Sequence, residues 1–269
     1  MKAQKLSDGL PDYTRKNIKF VPFGNIDQTK KILDKYKKNI NCILIEPIQG
    51  SLPTIEGLNY IKFLKDYSKK NNIVFFLDEM ITGLRVGGSS FQTSNKIKSD
   101  ISTFGKCFGG GFPIGILAIN KTTSQILKKK KIFFGGTFSG NSISMYIANE
   151  ITKHVYKNNK LIKSLDEKMK FFKNSINEFA LKNKIDAKVF SYTSMARIVF
   201  SQKKISDRTQ RDFFESKKKK AIQKFIEFLK KKSLYYPKNG IIFFSLSLSK
   251  RDLLYIISTI KSALKLYLK

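Results

Sequence analysis

Leu77-Asp78-Glu79-Met80-Ile81-Thr82-Gly83-Leu84-Arg85 is the stretch on which the fold turns. The run before it, Ile73-Val74-Phe75-Phe76-Leu77, is continuously apolar, the pattern of a strand buried on both faces, and it stops abruptly at two carboxylates. Open α/β sheets present groups to a ligand at the carboxyl ends of their strands, so Asp78 is expected to face a site. A second run, Ile101-Ser102-Thr103-Phe104, ends in Gly105-Lys106 with Gly109-Gly110-Gly111 beyond, and the glycines leave a lone amine uncrowded. One strand end offers an acid and the next an amine.

Upstream, Asn25 or Asp27 can cap a helix through Ile32, Leu33 and Tyr36, after which Ile40 to Ile45 reads as a buried strand ending at Glu46-Pro47. Pro53, with Thr54 as a cap, starts a helix whose Leu58, Ile61, Leu64 and Tyr67 recur at helical spacing. Strand, helix, strand implies parallel strands joined by right-handed crossovers, which places Glu46, Asp78 and Lys106 at one edge of the sheet. Residues before Phe23 read as entry sequence without chemistry. Gly83 to Ser94 reads as a flexible loop. Pro113 to Asn120 is a further apolar run suited to an antiparallel member of the same sheet, followed by a short lysine-rich helix.

Downstream, Gly135-Gly136-Thr137-Phe138-Ser139-Gly140-Asn141 precedes a helix starting near Ser142. Backbone N–H groups at such a turn, with the hydroxyls of Thr137 and Ser139, suit a phosphate, although a plain turn has the same composition. From Tyr156 the pattern becomes a long amphipathic helix with Leu161, Leu165, Met169, Phe172, Ile176 and Phe179 on its core face. Strands over 188–192 and 197–201, a helix through Phe213, Ile222, Phe225 and Leu229, a strand over 241–248 and a closing helix with Leu253, Ile257, Ile260 and Leu264 complete a small C-terminal α/β domain. The expected division is 1–155 and 156–269.

The formal net charge is +32, which would ordinarily suggest nucleic acid or an acidic membrane as partner. The 52 basic residues are 46 Lys and 6 Arg, spread along nearly every helix, whereas specific phosphate and base recognition leans on the bidentate fork of Arg. A solvated lysine surface is therefore expected, and nucleic acid is the less favoured partner. Two cysteines, Cys42 and Cys107, make no disulfide framework, and with His154 as the single histidine no zinc-ligand spacing exists. Cys107 reads as a buried inert thiol. Without an apolar leader or a membrane-length apolar run, the expected location is the cytoplasm.

Four segments together carry a family resemblance: Ile45-Glu46-Pro47-Ile48-Gln49-Gly50, Asp78 to Arg85, Thr103-Phe104-Gly105-Lys106 with its glycines, and Gly135 to Asn141. In content, order and spacing they resemble class III pyridoxal-phosphate aminotransferases, and within them the glutamate-1-semialdehyde aminomutases. The resemblance implies part of the aspartate-aminotransferase-like PLP-dependent transferase fold: an α/β large domain with a mostly parallel sheet, plus the small C-terminal domain. It implies amino-group transfer, as transaminase or aminomutase, with pyridoxal 5'-phosphate as cofactor, a small amino or keto substrate and a homodimer.

Residue by residue, the resemblance makes Lys106 the Schiff-base lysine and Asp78 the partner of the pyridinium nitrogen, with Met80 packed on the ring and Thr137 on the cofactor phosphate across a dimer interface. Glu79 is expected to support its loop, and Glu46 and Gln49 to shape the site. Arg197, Arg85 and Arg15 are unranked candidates for a substrate carboxylate. No metal ligand is expected. The pattern departs from the family in two places. A phosphate-binding loop and a stacking aromatic that family members carry early in the chain have no equivalent before Cys42, which raises a truncated, split or degenerate relative as the alternative. Near Gly240 the aminomutases would place a glutamate, which raises a transaminase of another substrate.

Overall fold

Asn25 opens helix α1 (Ile26–Tyr36) by accepting the Gln28 N–H on its side chain at 3.0 Å, and the chain then enters strand β1 (Cys42–Ile45). Thr54 caps a single 3-10 turn that leads into helix α2 (Leu58–Lys70), whose Ile61 and Leu64 are wholly buried against the sheet. Strand β2 (Val74–Asp78) follows, then a short helix α3 (Phe91–Ser94), strand β3 (Ile101–Gly105), strand β4 (Gly115–Ile119) and helix α4 (Lys121–Lys129). The computed structural model describes residues 16–268, so Arg15 lies outside the described residues.

β1, β2 and β3 are parallel neighbours, and β4 returns antiparallel beside β3, giving the sheet order β1-β2-β3-β4. Phe75 and Leu77 of β2 are fully buried, as its central place demands. The register then sets the edge: Ile45 pairs with Leu77, so Glu46 and Asp78 leave the sheet level with one another, and Asp78 pairs directly with Thr103. Lys106 follows Thr103 by three residues, about 10 Å of extended backbone. The expectation that Glu46, Asp78 and Lys106 share one sheet edge holds. β1 departs from expectation: it is shorter than Ile40 to Ile45 and buried on one face only, through Ile43 and Ile45, with Cys42 exposed and Leu44 62% exposed on the other, and among the described residues no strand lies beyond it.

The second half is built on helix α5 (Ser142–Lys157) and the long helix α6 (Asn159–Lys182), against strands β5 (Lys188–Tyr192) and β6 (Met195–Val199), helices α7 (Arg208–Ser216) and α8 (Lys219–Lys231), strand β7 (Ile241–Phe243) and helix α9 (Lys250–Tyr267). β6 is central in an antiparallel sheet of order β5-β6-β7. Leu165, Met169, Phe172 and Ile176 of α6 close on Ile257, Ile260 and Leu264 of α9 in one apolar cluster, as their spacing predicts, while Leu161 at the start of the stripe stays exposed. Three expectations shift. The second strand lies at 195–199 instead of 197–201, the helix through Phe213 and Leu229 is two helices broken at Lys217-Lys218, and the last strand is three residues long. The expected domain division at 155/156 falls in the last turn of α5.

Candidate active site

Asp78 ends β2 with its carboxylate already positioned: Oδ1 accepts the Met80 N–H and the Thr103 hydroxyl, both at 3.0 Å. Oδ2 accepts no hydrogen bond among the described residues, so one oxygen is held and the other is available to a ligand. Thr103 lies three residues before Lys106, and its hydroxyl joins the site only through the strand pairing. Its partner is set by inter-strand register, which the local pattern does not contain.

Lys106 stands just past the end of β3 in a left-handed backbone conformation, φ +49°. A long-chain L-residue adopts this region at a cost of about 1–2 kcal/mol and holds it where the surroundings impose it. The residue before it is tightly packed: a Cβ on Gly105 would meet Met80 Cε at 2.6 Å and the Ile114 carbonyl oxygen at 3.0 Å. Met80 therefore packs on the backbone that carries Lys106. The Lys106 amine is exposed and has no ion-pair partner among the described residues.

Glu46 completes the edge. Its Oε2 accepts the Gly50 N–H at 3.1 Å. Burial pushes its carboxyl up, the Gly50 N–H opposes this, the negative charge of Asp78 adds to the rise and the ammonium of Lys106 counters it. Glu46 is thus within electrostatic reach of both Asp78 and Lys106, at adjoining strand ends.

Glu79 points the other way. It is fully buried and accepts the N–H of Phe91 at 2.6 Å, the N–H of Gln92 at 3.1 Å and the Thr82 hydroxyl at 2.9 Å. Burial raises its carboxyl and these donors oppose the rise. The loop from Gly83 to Ser94, expected to be flexible, is pinned by this one carboxylate, with Phe91 fully buried at its far end. Glu79→Gln keeps the shape but turns an amide NH₂ toward a backbone N–H, so one buried donor loses its acceptor. The expected cost is about 1–3 kcal/mol, read from the urea unfolding midpoint.

The arginine candidates separate. Arg197, on β6, is buried and donates to the Asn239 carbonyl oxygen and to Glu215 at 3.3 Å. Its guanidinium also occupies the space a Cβ on Gly240 would take, 2.9 Å from Cζ, and Gly240 has φ +73°. Position 240 thus accepts no side chain without displacing Arg197. Arg85 is different: it donates to the Ile81 carbonyl oxygen at 2.7 Å and lies 4.6 Å over the Phe243 ring, with no carboxylate partner among the described residues. Burial lowers its pKa. It lines a cavity of about 480 Å³ with Cys107, Ser194 and Phe243, and Cys107 is partly exposed there, not the buried thiol expected.

Thr137 is not brought to Lys106 within the single chain. It lies exposed in a separate cavity of about 670 Å³, walled by Pro113, Ile114 and the loop from Gly136 to Asn141; Asp78, Met80 and Lys106 do not line it. The stretch 132–149 around it carries no charged residue, and Phe138 is 84% exposed.

Residues 17–259 match the model of the aminotransferase class-III family, and the chain belongs to that family. Among curated relatives it is 36% identical over 201 residues to the glutamate-1-semialdehyde 2,1-aminomutase of Methanococcus vannielii, covering 74% of this chain and 47% of that protein. It is 33% identical over 238 residues to the enzyme of the same name from Methanocaldococcus jannaschii, covering 86% of this chain and 54% of that one. The chain spans about half the length of the curated relatives it matches.

Among solved structures, an omega-transaminase from Sphaerobacter thermophilus superposes with TM-score 0.89 at 18% identity, covering 98% of this chain and 60% of that one. A transaminase with PLP bound gives TM-score 0.79 at 17% identity, covering 97% and 60%. At these identities the likeness is one of fold. Among the described residues no helix is long and apolar enough to cross a membrane.

Proposed function

We propose that the chain takes part in pyridoxal-phosphate-dependent amino-group transfer, with Lys106 and Asp78 as the reacting pair. The observation that carries this reading is the placement of an exposed amine, a half-satisfied carboxylate and a packed thioether at adjoining ends of parallel strands. When bound, the cofactor supplies an electron sink for a bond broken at the substrate's amine-bearing carbon. The residues here suit one side of it: Lys106 Nζ as covalent anchor and proton carrier, Asp78 Oδ2 as acceptor of the ring nitrogen's proton, and Met80 against the ring face.

Arg85, free of a carboxylate, is our choice over Arg197 for a substrate carboxylate. We read the protein as cytoplasmic and as working in a homodimer, with the exposed, uncharged stretch around Thr137 meeting a second copy and its hydroxyl serving the phosphate there. The relatives' name favours aminomutase as the finer reading. The absence of a glutamate near Gly240 favours a transaminase of another substrate instead. The two activities differ in whether the keto product leaves.

The test is reductive trapping. After incubation with pyridoxal 5'-phosphate and borohydride, peptide mapping is expected to find the pyridoxyl group on Lys106 in preference to the other 45 lysines. Label spread evenly over surface lysines would overturn the assignment.

A further inference from the structure

The segment 46–52 follows β1 without forming helix or strand, and it carries Glu46 at the edge shared with Asp78 and Lys106. Its internal hydrogen bonds are local: the Gly50 N–H on the Glu46 carboxylate, and the Leu52 N–H on the Gln49 carbonyl oxygen at 3.0 Å. Packing supplies the rest. A Cβ on Gly50 would meet Ile81 Cδ1 at 2.8 Å and Ile241 Cδ1 at 3.3 Å, so the backbone there is pinched between the loop after β2 and the start of β7. Leu52 is buried against Val199 and Ile205.

Arg211 of α7 reaches this segment from 160 residues away. Its Nη1 donates to the Ser51 carbonyl oxygen, to which no other group donates among the described residues. The guanidinium is only 4% exposed, and a charge so placed needs partners. Asp212 accepts from its Nε and Nη2, and Glu215 Oε2 stands 3.5 Å from Nε. The same Glu215 oxygen is 3.3 Å from Arg197 Nη2, and Arg197 donates in turn to the Asn239 carbonyl oxygen, two residues before Ile241. From Ser51 through Arg211, Glu215 and Arg197 to Asn239, a chain of charged contacts thus closes a ring with the contact between Gly50 and Ile241.

We propose that Arg211 is a positioning residue for the candidate site: by holding the Ser51 carbonyl oxygen it fixes the segment 46–52, and with it the Glu46 carboxylate, against the ends of β2 and β3. Arg211 touches none of the reacting groups and acts through Glu46. Apolar side chains of the same volume stabilise such a place as well as buried ions do, so what the guanidinium adds is direction: its fork sets where the Ser51 carbonyl lies. The inference rests on the reading of Lys106 and Asp78 as the reacting pair and gives their edge of the sheet a support from the second half of the chain.

The test is Arg211→Met, with Arg211→Lys as the conservative variant. Met fills the space of the arginine stem and leaves Glu215 paired with Arg197, so no buried carboxylate is stranded. Amide exchange in Arg211→Met is expected to quicken about tenfold at Gly50 and Leu52 and to keep the parent rate at Phe91 and Val189, whose acceptors, Glu79 and Asn177, lie off the ring. A residue that only stabilised the fold would quicken all four together. On the amino-transfer reading kcat falls about tenfold in the same variant, since a displacement of about 1 Å can cost up to 10²-fold, and it recovers in Arg211→Lys, which keeps one donor for Ser51. Should Arg211→Met fail to fold, Arg211→Gln, able to donate to Glu215 but too short for Ser51, carries the same comparison. Equal quickening at the four amides, unchanged exchange at Gly50, or quickened exchange with kcat within twofold of the parent would each overturn the proposal. A parent chain without amino transfer would instead sink the reading of the function, and the exchange pattern would still decide whether Arg211 holds the segment.

Discussion

Lys106→Ala is expected to lower the rate of amino-group transfer by about 10³-fold or more, because the same amine anchors the cofactor and moves the proton, and general acid–base catalysis alone is worth roughly 10²–10⁴. The other 45 lysines are not substitutes. Lys106 is the lysine just past the end of β3, the strand next to the one that ends in Asp78, at φ +49° and directly after the Gly105 on which Met80 packs. Its side chain is exposed, so its removal leaves no cavity, and the thermal midpoint should stay close to that of the parent. Lys106→Arg is the control, keeping the charge without a nucleophile. Single-turnover absorbance on mixing the cofactor-loaded protein with an amino donor measures the effect. Rates within tenfold of the parent in both variants would remove Lys106 from the chemistry.

Asp78→Asn is expected to cost about as much by a different route. A carboxylate about 4 Å from a ring cation contributes roughly 4 kcal/mol at an effective dielectric of 20, which corresponds to about 10³ in rate when that cation is what draws electrons from the substrate carbon. The amide oxygen still accepts the Met80 N–H and the Thr103 hydroxyl, so the loop keeps its position and stability should change little. The diagnostic is a fall in kcat with an unchanged unfolding curve. A variant that melts well below the parent would point instead to a structural carboxylate, the role Glu79 has one residue later.

That contrast between neighbours marks where local pattern stops. Asp78 and Glu79 are chemically alike and adjacent, and strand alternation sends one to the sheet's ligand edge and the other into the base of a loop. Sequence reading separated them only through the resemblance; the donors that hold Glu79, the N–H groups of Phe91 and Gln92, come from 12 and 13 residues away. The arginines repeat the lesson. Arg197 and Arg85 were equals in the sequence, and the structure parts them because Glu215 and Asn239 reach one of them and no carboxylate among the described residues reaches the other. The loop after Gly83 reads as flexible because Gly and Ser are permissive in isolation, whereas in the fold a single buried carboxylate collects its donors.

What the sequence determined alone was short-range: an apolar run stopping at Asp78, a helix cap at Asn25 or Asp27, the stripe on α6, and the strand-helix-strand order that puts Glu46, Asp78 and Lys106 on one edge. Each rests on periodicity or on a hydrogen bond spanning three or four residues. Only the tertiary structure decided which strand faces which, and through register the Thr103 hydroxyl on Asp78, the fate of each arginine, and β1 and β4 as open edges of apolar composition. Burial depends on neighbours distant in the chain, and a strand's composition records the sheet it suits, not the strands present beside it.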